Sequence, residues 1–236
     1  MTAVGAVLLQ CSAAPPPPPP PPPATTPLPP AATPSPPAAS APPAASAPPT
    51  PAGAAVYPVT AGELGASWRP GCPVEPARLR RVDVNHLGFD AQTHRGQLIV
   101  HDDLVPQVIM IFEQLYRLRF PVEKLRTVDQ YPAAADELSM EDNNSSAFNC
   151  RAIPGTDRWS WHAYGRAIDI NPLLNPYIDS RGVFEPKNAA VYLDRSRIGP
   201  GLLHSGDPAV RVFTDRGWRW GGDWRTPKDY QHFERP

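Results

Sequence analysis

"SWHAYGRAIDIN", residues 160–171, decides how this chain is read. His162 is followed seven residues later by Asp169, which sits inside the apolar run "AIDI". A carboxylate in such a run is costly to bury unless it is paired or holds a cation. In a strand, alternation turns Asp169 to the face opposite Ile168 and Ile170. One face then belongs to a core and the other offers a charge. A second stretch, "DYQH", sets Asp229 three residues before His232.

His162, Asp169 and His232 are three donors of the kind that hold a catalytic zinc, which keeps a position open for water. A structural zinc is closed by four ligands, usually several of them cysteines. The chain has only three cysteines, spaced too widely for such a site. A metal on the Asp169 face removes the cost of burying its carboxylate. Asp229 can then take a proton from an attacking water and return it to a leaving amine.

The flanking segments fill in the fold. Residues 79–84 alternate and lead to a turn at Gly88, which predicts a strand, and "QLIVHDDL" predicts a second. Asp102 or Asp103 then caps a helix with Pro106 in its first turn. Val105, Val108, Ile109, Phe112, Leu115 and Tyr116 share one helical face, and the helix stops before Pro121. "KLRTVDQY" and "SAFNCRAI" read as strands, "AAADELSMED" as a short helix, and Asp207-Pro208 as the start of another that stops at Gly217. A Gly-Gly turn and a short strand around His232 follow. Strands and helices do not alternate regularly, so the expected class is α+β with an antiparallel sheet.

Composition divides the chain. Twenty of its 35 prolines lie between Pro15 and Pro51, nine of them consecutive from Pro15 to Pro23. With so little apolar surface to bury, residues 15–55 are expected to be a disordered linker. Before it, "MTAVGAVLLQ" is apolar and runs into Cys11. Residues 1–14 therefore read as a signal or lipoprotein segment, with Cys11 a candidate for lipidation and a membrane lipid anchor. No basic residue precedes the apolar run, and Gln10 stands where a small residue is expected. Residues 56–236 have the size and apolar content of one domain. The formal charge of −1 argues against a nucleic-acid binder. Cys72 and Cys150, an even pair in an exported domain, predict a disulfide.

"SWHAYGRAID" resembles the Ser-x-His-x-x-Gly-x-Ala-x-Asp signature of the zinc D-alanyl-D-alanine carboxypeptidases, peptidase family M15. "DYQHF" resembles the acidic residue, two spacers and last zinc ligand of that family, and looks closest to its VanY-like and endolysin-like branch. The resemblance spans roughly residues 79–236. It implies the hedgehog/DD-peptidase fold, with a central antiparallel sheet and flanking helices. It also implies hydrolysis of peptide bonds next to D-amino acids in bacterial peptidoglycan. By position, His162, Asp169 and His232 would bind zinc, Asp229 would be general base and acid, and Ser160 would hold substrate. The upstream arginine motif of many members is missing. Arg151 is the candidate for stabilising the oxyanion or a substrate carboxylate, and Arg126 competes with it. The expected protein is an exported, monomeric cell-envelope enzyme. The alternatives are a D,D- or L,D-endopeptidase of the same family, or a wall-binding module that keeps zinc without turnover.

Overall fold

The computed structural model describes residues 53–236. The Cys11 lipidation candidate, the leader and nearly all of the proline-rich linker lie outside the described residues. Among the described residues no helix is long and apolar enough to cross a membrane.

The chain enters through β1 (Ala55–Pro58) and a one-turn helix α1 (Ala61–Leu64), where Thr60 and Glu63 form a reciprocal capping box. The two long strands read from the sequence, β2 (Leu79–Leu87) and β3 (Thr93–His101), pair antiparallel over their whole length, and β1 adds to β2. Helix α2 (Val105–Arg117) packs its Val108, Ile111, Phe112 and Leu115 face into the core. Its cap differs from the expectation. A single 3₁₀ turn, Asp102–Leu104, precedes it, and His101 accepts from the Asp103 amide, so neither aspartate caps α2.

Two expected strands shrink. "KLRTVDQY" keeps only β4 (Lys124–Leu125) and then turns into a 3₁₀ segment. α3 (Asp136–Glu141) is helical as read. "SAFNCRAI" is extended but joins no single neighbour. β5 (Asn144–Ser145) pairs parallel with β4, and Ser146 bridges Asp169. Phe148 donates to Ile99 and Cys150 donates to Ser67. The run is buried through Cys150, but its backbone groups are satisfied by several different partners, among them His162 and Arg158.

The remaining strands are β6 (Ala167–Asp169), β7 (Tyr177–Ile178) and β8 (Phe184–Glu185). After helix α4 (Pro208–Thr214) come β9 (Arg219–Trp220), β10 (Lys228–Asp229) and β11 (His232–Glu234). The architecture is α+β. Instead of one central sheet, the described residues form three three-stranded antiparallel sheets, ordered β1-β2-β3, β10-β7-β8 and β6-β11-β9, besides the β4-β5 pair. A shared core of Val82, Leu98, Phe112, Ile168, Phe213 and Phe233 joins two of them to α2 and α4. Phe213 stacks on Phe233 with ring centroids 3.9 Å apart.

Cys72 and Cys150 form a disulfide with Cα atoms 5.9 Å apart, 78 residues apart in sequence. In the chain-entropy view, closing so long a loop restricts the unfolded state. Replacing both cysteines by serine should lower the unfolding free energy by about 2–4 kcal/mol. Denaturant melts of the two forms check this, and coincident midpoints would refute it.

Candidate metal centre

Local structure explains why His162 and Asp169 meet. Ser160 opens a 3₁₀ turn over Trp161–Tyr164, and its Oγ accepts from the His162 amide at 3.3 Å. The turn ends at Gly165 in the left-handed conformation, φ 66°. A Cβ there would stand 2.7 Å from the His101 backbone nitrogen, which donates to the Gly165 carbonyl. Glycine therefore meets both needs of the corner. The chain then enters β6, which pairs with β11 so that Asp169 lies opposite His232 and Ile168 opposite Phe233. Residues directly opposite share a face. The register thus sends Ile168 and Phe233, both fully buried, into the core and the two polar residues into a cleft.

Three donor atoms converge there. His162 Nε2 is 3.1 Å from His232 Nδ1 and 3.1 Å from Asp169 Oδ2, and His232 Nδ1 is 3.0 Å from Asp169 Oδ1. All three residues are buried. The far nitrogens fix the tautomers. His162 Nδ1 donates to the Ala147 carbonyl, so its Nε2 carries a lone pair. His232 Nε2 donates to Glu234 Oε2 at 3.2 Å, so its Nδ1 is the atom turned to Asp169, protonated in the free centre and a lone-pair donor once a cation takes the proton's place. Two lone pairs and a carboxylate facing each other at this distance repel unless a cation or proton lies among them. Burial opposes charge on His232, yet its hydrogen bonds to Asp169 and Glu234 push it up to about 10. Burial likewise opposes ionisation of Asp169, but the His162 and His232 rings hold it far below the usual carboxylate range. The centre calls for positive charge. A tetrahedral zinc with bonds of about 2.0–2.1 Å sets its ligand atoms roughly 3.3–3.5 Å apart, close to what the residues present. The donor set fits the metal.

Glu234 escaped the sequence reading. The signal was there: two residues beyond His232 on a strand, it must fall on the same face. It also meets Arg219 Nη2 at 2.6 Å, which holds the carboxylate toward the imidazole. Such outer carboxylates orient metal-bound histidines. Glu234→Gln should weaken zinc binding about 10-fold or more, measured by competition with a chromophoric chelator. An unchanged affinity would remove Glu234 from the centre.

Asp229 lies on β10 opposite Tyr177 and lines the same cleft as the three donors. Its Oδ1 is enclosed and has no hydrogen-bond partner. Burial pushes its carboxyl up to about 7, against the pull of His232. Gly221, read from the sequence as half of a simple turn, also allows a close approach of backbones, since a Cβ on it would sit 2.6 Å from the Asp229 carbonyl oxygen. Trp224 lines the cleft with its ring centroid 5.5 Å from that of His232, while Trp218 and Trp220 are buried in the core.

Arg151 lines the cleft, and Arg126 does not. Arg151 lies in an irregular segment beside the disulfide, not on an edge strand. Its Nη2 pairs with Asp136 Oδ2 at 2.7 Å, and its enclosed Nε has no acceptor. Asn143 and Asn144 are buried structural residues: Asn144 binds the Arg126 carbonyl and Ser139, and Asn143 accepts from the Leu173 amide. His86 is buried and donates to the Val122 carbonyl. Asp223 accepts from Ser205 and takes no place in the cleft.

Three buried donors that could hold one cation, with an unpartnered carboxylate and a guanidinium on the same cleft, make a candidate metal centre with the groups that hydrolysis uses. Residues 154–235 match a family profile described as D-alanyl-D-alanine carboxypeptidase. That segment, about a third of the chain, is similar to the D-alanyl-D-alanine carboxypeptidases of peptidase family M15. No curated protein matches the chain, and no solved structure does.

Proposed function

We propose that the protein is an exported zinc peptidase that cleaves peptide bonds next to D-amino acids in bacterial peptidoglycan. The observation that carries this reading is the convergence of His162, Asp169 and His232 with their lone pairs aimed at one point. Zinc held there would supply Lewis acidity toward water and the scissile carbonyl. Asp229 Oδ1 is the proton acceptor for the attacking water, and it returns that proton to the leaving nitrogen as the C–N bond breaks. A carboxyl that titrates near neutrality suits both transfers. Arg151 meets the charge that develops on the carbonyl oxygen, or the substrate's terminal carboxylate, through its guanidinium, whose Nε–H has no acceptor in the protein. Ser160 steadies the turn that carries His162 and faces substrate.

The same reading extends to the rest of the chain. Residues 56–236 form the catalytic domain in the hedgehog/DD-peptidase fold, working as a monomer. Residues 15–55 are a linker, and residues 1–14 are an export signal ending near Cys11, the lipid-anchor candidate. Such a linker suits a tether between a membrane surface and a wall-directed enzyme.

Defined peptidoglycan stem peptides test the proposal. Incubation should release D-alanine or a shorter peptide, detected by mass spectrometry, and a chelator should stop the release. Turnover that persists in metal-free protein would sink the proposal.

A further inference from the structure

Gln231 stands between the candidate base and the last metal ligand. It is 2% exposed. Its backbone carbonyl accepts from the Ile170 amide at 3.0 Å, which ties this residue to the end of β6. Its side-chain nitrogen donates only to Met140 Sδ, at 3.5 Å. Its Oε1 is enclosed and has no donor at all. Gln231 and Met140 line the same cleft as Asp169, Asp229 and His232.

A buried amide carbonyl without a donor is destabilising, and native proteins rarely keep one without use. Neighbouring protein groups do not relieve it. The other open polar atom on the cleft besides Asp229 Oδ1 is Arg151 Nε, a donor without an acceptor. One open acceptor and one open donor match the N–H and C=O that an extended peptide presents. Oε1 is closed to solvent in the free protein, so a bound chain reaches it once the side-chain amide turns toward the cleft.

We infer that Gln231 is a substrate-binding residue whose side-chain carbonyl accepts the N–H of a backbone amide neighbouring the scissile bond. This inference rests on the peptidase reading. It adds that recognition is of the peptide main chain, through an acceptor that requires a donor.

The test compares a peptide substrate with an analogue in which that neighbouring amide, not the scissile one, is an ester and so lacks the N–H. The full chain should prefer the amide by about 10-fold or more in kcat/KM. In Gln231→Met and Gln231→Leu the preference should fall to about 2-fold or less. KM for the amide should rise about 10-fold, with kcat within about 3-fold. The midpoint of thermal unfolding should stay or rise, because the variants remove an unpaired buried group. Calorimetric binding of the intact peptides to Asp229→Asn, with and without Gln231→Met, gives the same comparison without turnover. Two results would overturn the inference. One is a preference that persists in both variants. The other is a fall in thermal midpoint with loss of zinc in both, which would make Gln231 a core residue. If the chain cleaves nothing while Asp229→Asn still prefers the amide in a Gln231-dependent way, the peptidase reading fails and the inference stands.

Discussion

His162→Ala should empty the centre. Zinc content of the purified protein is expected to fall from about one per chain to near zero, and kcat/KM by about 10³-fold or more. The reason is geometric. Two donors cannot enclose the ion, and the lone pair that the Ala147 carbonyl aims through His162 has no substitute nearby. The fold should survive, because the core on the other face of β6 is made by Ile168 and Phe233, which the substitution leaves alone. Metal analysis and far-UV circular dichroism on the same sample decide the matter. A variant that keeps stoichiometric zinc would show that His162 is not a ligand.

Asp229→Asn should have the opposite profile: zinc retained, turnover lost by about 10²–10⁴-fold. It also carries a stability signature with a definite sign. The folded carboxyl titrates near 7, far above its unfolded value, because burial disfavours the charge. The stability this gives is complete below the unfolded pKa and is lost as pH rises through 7. Metal-free wild-type protein should therefore weaken between about pH 4 and pH 8 relative to Asp229→Asn. The gap at pH 8 is on the order of 2–4 kcal/mol. At pH 4 the two should nearly coincide. His232 titrates in both proteins and largely cancels from the comparison. Bound zinc should narrow the gap, since a nearby cation favours the ionised carboxylate. Parallel curves across the pH range would mean that Asp229 is not held in an unfavourable environment.

How much of this could be read without coordinates depended on how locally each feature is encoded. The three donors were legible because each sits in a short pattern whose chemistry is odd by itself: a carboxylate among isoleucines, a histidine three places after an aspartate. The long hairpin of β2 and β3 and the face of α2 were legible from periodicity. Glu234, the Ala147 carbonyl and Gln231 were not singled out. Their roles depend on the antiparallel register of β6 and β11 and on which ring nitrogen is already engaged. "SAFNCRAI" misled for a related reason. Apolar content reports that a segment is buried, as this one is, but it says nothing about whether one strand or several separate partners provide the hydrogen bonds. The aspartate cap of α2 was displaced by an intervening turn that a histidine could cap equally well.

The pairing of β6 with β11 also sets an order of events during synthesis. Asp169 and His162 leave the ribosome long before His232, and until β11 docks, Asp169 faces its cleft without the ring that belongs opposite it. The three donors cannot come together while the chain is still growing through residue 232. A fragment ending short of that residue would keep β2, β3 and α2 yet carry no complete ligand set. The candidate ligand set is thus assembled only after nearly the whole described domain has been made and its last strand has found its place.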